Sequence, residues 1–460
     1  MFRESPAATG TTVAAIPHEA DSLTGLCTRA HLHKVLAGAF AHRRPGHAYP
    51  ALLALDLDGF KAINDSTGIV TGDGVLARVA GRILIAVPGE ATVARIGGDE
   101  FAVLLPDGHV AEGVAARLFE LIGRPYAVNG HAVTLSVSIG VALAPQHGED
   151  ADALLRAANT ALHRAETGGR NHWVVFEPWM QARASARQSL EIDLRAAISL
   201  NRVELRSAVA IEQFEVHYQP QVSLAERRLQ GFEALARWRH PERGMVGPDQ
   251  FIPIAEETGL IGLLGNWVLH TACRAAAAWP TPRHGAPLQV AVNVSPLQLR
   301  DRHALIESIA QALGESGLAA PRLEIEITES ALIGDSRATL QAIKALGVTL
   351  SLDDFGTGYS SLSHLAHYPF DRLKIDRCFI RDLPNGGLAE GRVPARAKWM
   401  IQAIASLGSG LDMSTVAEGV ETELQAQQAL EAGVTDMQGY LIARPTPEDD
   451  LPPLIQRLDA

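Results

Sequence analysis

The residues with the clearest chemistry are polar side chains at the ends of short apolar runs in the second half of the chain. They are carboxylates accompanied by amides and one lysine: Gln219, Glu233, Asn293, Glu326, Glu329, Asp353, Asp354, Lys374, Glu418 and Glu421. Any one of them could be an ordinary solvated charge, but their repetition at successive strand ends favours a site. Carboxylates, an amide and a lysine brought together in this way are the groups that two-metal hydrolysis of a phosphodiester requires.

Composition excludes several other functions. Of the 460 residues, 47% are hydrophobic and 20% are charged, and the net charge is −12, so binding of DNA through a basic surface is not expected. The three cysteines lie far apart without metal-ligand spacing, which indicates a reducing, cytoplasmic environment. No apolar run approaches the roughly 18–20 residues of a membrane span.

Alternating strand and helix patterns predict two α/β domains. In the first half, strands, helices and a hairpin around Gly97-Gly98-Asp99-Glu100 predict an α/β sandwich. In the second half, eight strand candidates separated by helical stretches predict a (β/α)8 barrel that functions at the carboxyl ends of its strands. We therefore expect a disordered tail over residues 1–20, the sandwich over 21–176, a linker helix within 177–207 and the barrel over 208–460.

Four single elements can be compared directly with the structure. The patterns predict a helix over Val75–Ala86, a strand over His131–Ala144, a last barrel strand over Met437–Ile442 and an extended loop over Leu383–Ala397.

Motifs of the second half resemble a known family and follow one another in its order. They read EALARW at Glu233–Trp238, NVSPLQL at Asn293–Leu299, EITES at Glu326–Ser330, DDFGTGYSSL at Asp353–Leu362, LKID at Leu373–Asp376, AEGVE at Ala417–Glu421 and QGY at Gln438–Tyr440. The second half thus resembles the EAL family of cyclic di-GMP phosphodiesterases, whose domain is a TIM-like barrel.

This resemblance implies a role for each polar residue. Two ions of Mg²⁺ or Mn²⁺ would be held, the first by Glu233, Asn293, Glu326 and Asp353 and the second by Asp353, Asp354 and Glu418. Lys374 would orient the attacking water, Glu329 would anchor the loop Asp354–Ser361, and Glu421 would steady Lys374 or a ligand. The phosphate and guanine groups of cyclic di-GMP would be contacted by Gln219, Arg237 and Gln438.

The first half resembles the GGDEF family of diguanylate cyclases, a nucleotidyl-cyclase-like α/β sandwich. The matching motifs are Asp21–Leu26, Asp56–Asp65, Gly72-Asp73 and the signature Arg95–Phe101. By resemblance, Asp56, Asp99 and Glu100 would bind Mg²⁺, and Gly97 and Gly98 would let the hairpin approach the phosphates of GTP. The guanine would be met by Asn64 and Asp73, and the phosphates by Lys61 and Arg170.

One departure affects this GTP site. The lysine that meets the terminal phosphates in the family is Glu166 in this chain. A unit charge pair at ~4 Å is worth about 4 kcal/mol at an effective dielectric constant near 20, so its reversal would weaken GTP binding strongly. This holds unless Glu166 turns away or Arg164 substitutes for the lysine; alternatively, Glu166 is simply a solvated helix residue.

Three functions follow from these resemblances. The chain would hydrolyse cyclic di-GMP to linear pGpG, with the first domain as a GTP-binding regulator or weak cyclase; it would be a bifunctional cyclase and phosphodiesterase; or it would be a non-catalytic receptor of cyclic di-GMP. The full set of second-half residues argues against a receptor. The intact Gly97–Glu100 turn supports the bifunctional enzyme, whereas Glu166 argues against it. Barrels of this family commonly pair, which implies a homodimer through the second domain.

Overall fold

The chain folds around separate hydrophobic cores in its two halves. The computed structural model describes residues 20–41, 48–199, 213–282, 286–332, 336–356, 365, 367–383 and 392–458. Its compact units are Met1–Gln188 and Ser189–Ala460. Almost all of the predicted tail, residues 1–19, lies outside the described residues. None of the described helices combines the length and the apolar character needed to cross a bilayer.

The first unit is a six-stranded sheet in the order β1-β3-β4-β2-β7-β8, with a separate β5-β6 pair. Its strands are β1 (Cys27–Thr28), β2 (Ala51–Asp58), β3 (Thr92–Gly97), β4 (Glu100–Leu105), β5 (Tyr126–Val128), β6 (His131–Val133), β7 (Ser136–Leu143) and β8 (Trp173–Val175). Its helices are α1 (Arg29–Ala41), α2 (Phe60–Thr67), α3 (Ile69–Ala86), α4 (Ala111–Ile122) and α5 (Ala151–Thr167). Alternate residues of β2 enter different cores: Leu53 and Leu55 pack with α3 and α4, and Leu52 and Ala54 pack with α1 and α5. Helices therefore cover both faces of the sheet.

Two elements of this unit differ from their predictions. The helix predicted from Val75 begins at Ile69, directly after Gly68. The strand predicted over His131–Ala144 is two strands, interrupted between Val133 and Ser136, and a tight turn at Asn129 and Gly130, with φ angles of 50° and 82°, precedes the first of them. A hairpin turn of this kind pairs β6 with β5 and takes β6 out of the main sheet.

A long helix, α6 (Pro178–Ser199), occupies the segment predicted as a linker helix. The rest of that predicted segment, residues 200–207, lies outside the described residues. In the second unit, Leu190 and Leu194 of α6 pack in one core with Phe214 and Trp238, which belong to the first two barrel strands.

The second unit contains the predicted eight-stranded barrel, closed by the pairing of its first two strands. Its strands are β9 (Phe214–Ser223), β10 (Leu229–His240), β11 (Gly244–Val246), β12 (Gln289–Val294), β13 (Leu323–Thr328), β14 (Thr349–Phe355), β15 (Arg372–Ile375), β16 (Ser414–Ala417), β17 (Asp436–Gln438) and β18 (Thr446–Pro447). The helices are α7 (Pro248–Glu257), α8 (Ile261–Ala278), α9 (Pro296–Arg300), α10 (Arg302–Ser316), α11 (Arg337–Lys344), α12 (Arg377–Arg381), α13 (Arg392–Gly410), α14 (Glu423–Glu431) and α15 (Leu451–Leu458). β9 runs antiparallel to both β10 and β17, whereas the other neighbouring barrel strands are parallel.

Two predicted elements of the second unit need correction. The last barrel strand ends at Gln438, because the chain turns at Gly439, whose α-carbon packs against the backbone of Val420 so closely that a Cβ would lie 2.0 Å from the Val420 carbonyl oxygen. The extended loop predicted over Leu383–Ala397 is helical from Arg392 onward. Residues 384–391 lie outside the described residues.

The amino ends of the barrel strands are closed by a buried ion pair. Arg372 donates to Glu324 at 3.0 Å and to Gln221 at 3.2 Å. Glu324 and Glu326 are two residues apart and lie on the same face of β13. One therefore contributes to the closed end of the barrel and the other to the carboxyl end, where the candidate site lies.

Candidate active site

Strand register brings the predicted residues of the barrel together. Asn293 of β12 lies beside Glu326 of β13, and Thr328 of β13 lies beside Asp353 of β14. On the antiparallel side, Glu233 of β10 faces Gln219 of β9. Because these positions are near the carboxyl ends of parallel strands, their side chains meet at one mouth of the barrel.

Asp353 and Asp354 reach the same site although they are consecutive residues of one strand. Successive side chains of a regular strand point to opposite faces. Here the pairing of β14 with β15 shifts register between Leu352 and Phe355, and Asp354 has a left-handed φ of 55°. This bulge redirects the chain, so that Asp353, Asp354 and Glu418 present carboxylate oxygens that all lie within 4.8 Å of one another.

Lys374 lies at the centre of the carboxylates. Its Nζ atom is 2.7 Å from Glu418, 2.9 Å from Glu326, 3.2 Å from Asp353 and 3.7 Å from Glu233. These contacts are ion pairs without hydrogen-bond alignment. Burial acts to lower the pKa of Lys374, but the surrounding carboxylates outweigh it and raise that pKa well above its usual value. The side chain is therefore an ammonium at any physiological pH.

Glu233 is held by amide donors. Asn293 donates to its Oε1 at 2.7 Å, and Gln438 donates to its Oε2. The Gln438 amide also donates to Gln219 at 3.2 Å and accepts from Gln221 at 3.0 Å, so the amides form one network. Burial acts to raise the pKa of Glu233, but Lys374 and these hydrogen bonds lower it below its usual value. Glu233 is thus ionised and fixed in orientation.

For Glu326, Asp354 and Glu418 burial outweighs the effect of Lys374, and their pKa values are raised. Burial, followed by the nearby Asp353, raises the pKa of Asp354 to about 6. Burial raises the pKa of Glu418 to about 8, although Lys374 acts in the opposite direction. Neither oxygen of the fully buried Glu326 accepts a hydrogen bond. Hard divalent cations prefer oxygen ligands, so the Glu326 oxygens and the clustered oxygens of its neighbours fit an ion such as Mg²⁺ or Mn²⁺.

Three predicted supporting residues have different surroundings. Glu329 accepts a hydrogen bond at 3.2 Å from the backbone N–H of Gly356, at the start of the loop that it was predicted to anchor; residues 357–361 of that loop lie outside the described residues. Glu421 lines the site cavity but is not one of the four ion-pair partners of Lys374, so the predicted contact with the lysine is not formed. Arg237 lines a neighbouring cavity of about 260 Å³.

The carboxylates open into a cavity of about 720 Å³ that has further residues in its wall. The sequence interpretation missed Arg377, Arg381 and Tyr440, which all line it. Arg444 lies over the Tyr440 ring, with its guanidinium carbon 4.3 Å from the ring centre. The signal for the two arginines was available, since they follow Lys374 within the first turns after a barrel strand, where site residues are expected.

In the first unit, strand pairing assembles a second group of carboxylates. Asp56 of β2 lies directly beside Glu100 of β4. Burial raises the pKa of Asp56 to about 7, followed in effect by Asp99, Glu166 and Asp58. Glu166 therefore faces the predicted metal residues, and it lines one cavity of about 570 Å³ together with Glu100.

Arg164 does not replace the missing lysine at this group. Its guanidinium carbon is 5.9 Å from the ring centre of Trp179. Glu166 instead has His163 as a neighbour, with Nδ1 at 3.5 Å. The group that includes Asp56 thus gains a negative charge where the family has a positive one.

The signature turn is held by an arginine whose role was not predicted. Arg95 donates to the carbonyl of Gly98 through Nε at 3.0 Å and Nη2 at 2.8 Å, and to Asp21 through Nη1 at 3.2 Å. Gly98 has a φ of 50°, a conformation that favours glycine. The opening motif at Asp21 therefore serves to position the turn that carries Asp99.

The predicted GTP contacts lie on separate elements around this turn. Asn64 and Lys61 belong to α2, Asp73 belongs to α3, and Arg170 follows α5. The Oδ1 atom of Asn64 is buried without a hydrogen-bond partner. A Cβ at position 72 would lie 1.8 Å from that oxygen, which explains the glycine there. An orphaned amide oxygen suits a ligand that brings N–H donors, such as a guanine edge.

The chain also matches known proteins. Residues 202–445 match the family model of the EAL domain, and residues 18–172 match that of the diguanylate cyclase GGDEF domain. The chain is 39% identical over 437 residues to the bifunctional diguanylate cyclase/cyclic di-GMP phosphodiesterase MucR of Pseudomonas aeruginosa, covering 94% of this chain and 61% of MucR. It is 40% identical over 432 residues to the cyclic di-GMP phosphodiesterase NbdA of the same organism, covering 93% of this chain and 52% of NbdA.

Solved structures agree at the level of the fold. The S helix-GGDEF-EAL part of LapD from Vibrio cholerae, bound to c-di-GMP, matches with a TM-score of 0.57 and 18% identity, covering 92% of this chain and 96% of that one. The chain spans about half the length of the curated relatives it matches, for example 52% of NbdA. From the two family matches and the barrel that carries their motifs, the chain belongs to the EAL domain family and bears a GGDEF domain ahead of its EAL domain.

Proposed function

We propose that the second unit hydrolyses one phosphodiester bond of cyclic di-GMP to give linear pGpG. The observation that carries the proposal is the lysine-centred carboxylate cluster, in which Lys374 lies within 3.7 Å of four carboxyl groups at the mouth of the barrel. The names of MucR and NbdA, which state phosphodiesterase activity, support the same reaction. A receptor that only binds would have no use for a cluster with this composition.

In this proposal two divalent cations are held by the cluster. Glu233, Asn293, Glu326 and Asp353 would hold one, and Asp353, Asp354 and Glu418 the other. When bound, such ions activate water and stabilise the charge of the phosphodiester and of the leaving oxygen. Glu329 would fix the loop after Asp354, and Gln219, Gln438, Arg237 and Glu421 would meet the substrate around the cluster.

Lys374 acts as a hydrogen-bond donor in this scheme. Its raised pKa keeps the ammonium protonated, so it cannot accept a proton from water. It would instead donate to the attacking water, orient it and stabilise the negative charge that develops beside it. The proton of the water would pass to a carboxylate of the cluster.

Replacing Glu233 by alanine tests the proposal. The protein is incubated with cyclic di-GMP and Mg²⁺ or Mn²⁺, and the products are separated by chromatography. Wild-type protein should yield pGpG, and Glu233→Ala should reduce turnover by more than about 100-fold, because a carboxylate of the cluster and the orientation of Asn293 are both lost. Glu423→Ala, which removes an exposed carboxylate paired with Arg227, should leave turnover unchanged. Undiminished turnover in Glu233→Ala would refute the assignment.

A bifunctional enzyme is the second candidate, since the signature turn of the first unit is intact and MucR is named as bifunctional. Against it, Glu166 faces Asp56, and its charge opposes a triphosphate there. We therefore assign the first unit the role of a GTP-binding regulator or weak cyclase. Incubation with GTP alone, followed by the same chromatography, decides between the two.

A further inference from the structure

Two arginines in the wall of the 720 Å³ cavity have no acidic partner among the residues that the structure describes. Arg377 and Arg381 lie four residues apart on α12, the helix that follows the strand of Lys374. Both are exposed and both line the cavity. Among the described residues, neither Arg377 nor Arg381 forms an ion pair with a carboxylate, so neither arginine is neutralised there.

The other cations of the site are not available in this way. Lys374 is fully buried and surrounded by four carboxylates. Arg237 lines the neighbouring cavity, so a contact of the substrate with it still leaves the wall of the large cavity to other cations. Within the described wall of the large cavity, Arg377 and Arg381 are therefore the positive charges that a ligand can reach.

The position of Arg377 is fixed by the loop that carries a carboxylate of the cluster. Gly419 follows Glu418, and a Cβ there would lie 2.7 Å from the Cβ of Arg377. The absence of that Cβ lets the stem of the arginine pack against the Gly419 backbone. The arginine pair thus lies close to the cluster but is separate from it.

A cyclic dinucleotide needs a second anion site. It carries two phosphodiesters on opposite sides of one ring, and only one of them can lie at the cluster while it is cut. The cavity is otherwise lined by carboxylates such as Asp376 and Glu421, which would repel the other phosphodiester. The planar fork of arginine matches phosphate oxygens in charge and in geometry.

From these contacts we infer that Arg377 and Arg381 bind the phosphodiester that is not cut. The inference rests on the proposed hydrolysis and adds to it the group that distinguishes a cyclic dinucleotide from a simple phosphodiester. Because the pair would hold the substrate before and during the reaction alike, its loss should raise KM and leave kcat nearly unchanged.

The test compares Arg377→Gln, Arg381→Gln and the double variant with wild type in steady-state hydrolysis of cyclic di-GMP. Each single variant should raise KM by about 10-fold and the double variant by about 100-fold, with kcat within about threefold, as charge-assisted hydrogen bonds predict. Added NaCl should raise KM less in the variants than in wild type. Arg457→Gln, which changes an exposed arginine of α15, is the control and should match wild type. A double variant with KM within twofold of wild type, or one that loses kcat alone, would overturn the inference.

Equilibrium binding separates this inference from the proposed function. The affinity for cyclic di-GMP is measured by calorimetry with Ca²⁺ in place of Mg²⁺, and Kd should weaken in the same ratio as KM rises. Wild type that binds but does not hydrolyse would refute the proposed function, and the Kd ratio alone would then decide the role of the arginines. Equal Kd values for wild type and the double variant would overturn the inference, and absence of binding by wild type would overturn both.

Discussion

Replacing Lys374 by methionine is expected to destabilise the barrel, because the ammonium lies 2.7 to 3.7 Å from four carboxyl groups and is their shared positive partner. Removing one partner of a buried ion pair costs about 3–5 kcal/mol. Methionine nearly fills the volume of the lysine side chain, so the loss is electrostatic and leaves little cavity. A domain of this size loses about 2–4 °C in Tm per kcal/mol, which gives a decrease of about 6–20 °C for the metal-free protein.

The decrease should depend on pH in a defined direction. A carboxyl whose pKa is raised on folding binds its proton more tightly in the folded state, so its stabilising contribution is present at low pH and is lost as pH rises. Glu418, with a pKa of about 8, is such a group, and Lys374 is the main group that lowers that pKa. Without the lysine the pKa of Glu418 rises further. Below about pH 8 the folded wild type and the folded variant both hold this proton, so the Glu418 contribution makes the deficit of Lys374→Met relative to wild type grow above about pH 8, where only wild type releases it.

Thermal unfolding with EDTA, followed by circular dichroism and calorimetry below and above pH 8, measures how the stability deficit of Lys374→Met depends on pH. Lys398→Met is the matched control: Lys398 pairs with Glu431 at 2.9 Å, but both side chains are about half exposed, so the cost should stay below about 1 kcal/mol. Excess Mg²⁺ should recover part of the stability of Lys374→Met, since the ion supplies the missing positive charge. If Lys374→Met melts within 2 °C of wild type at pH 8 without metal, the lysine does not compensate the cluster.

Two further predictions concern the metal residues and the GTP site. Asp354 and Glu418 have pKa values of about 6 and about 8 without metal, so binding of Mg²⁺ must displace protons. The metal affinity measured by calorimetry should therefore rise steadily between about pH 6 and about pH 8, with net proton release into the buffer. An affinity that does not change with pH would contradict the ligand set. Glu166→Lys should increase GTP affinity and the yield of cyclic di-GMP from GTP, because it removes a carboxylate that faces Asp56 and introduces a cation. The control Glu112→Lys, on the exposed side of α4, should change neither quantity. Efficient synthesis of cyclic di-GMP by the wild type would show that Glu166 does not impair GTP binding.

Much of the barrel site could be predicted because its information is carried by residue identity at strand ends. The eight expected barrel strands are present, and their register sets Asn293 beside Glu326. The reversed direction of β9 could not be predicted, since an apolar strand reads the same in either direction. Its consequence is that Gln219 and Glu233 meet as antiparallel partners.

Contacts formed by irregular backbone were beyond the sequence patterns. Periodicity places Asp353 and Asp354 on opposite faces of a strand, and only the bulge at β14 brings both into the site. The helix that begins at Arg392 was not predicted, because glycine and proline near the start of the predicted loop dominated the pattern. The Asn129-Gly130 hairpin, in contrast, carried a sequence signal that was missed when β6 and β7 were treated as one strand.

The two carboxylate groups of the chain differ in how their charge is balanced, and this difference favours the barrel as the catalytic unit. In the barrel, Lys374 supplies an internal cation, so the cluster is assembled before any metal binds. In the first unit, Glu166 adds a further carboxylate beside Asp56 and Glu100. Burial, followed by the neighbouring carboxylates, raises the pKa of Asp56 to about 7. Below that pH, Asp56 holds a proton that a metal must displace, and above it the group repels a triphosphate. This imbalance of charge opposes a triphosphate in the first unit, and it supports the proposal that the barrel is the catalytic unit.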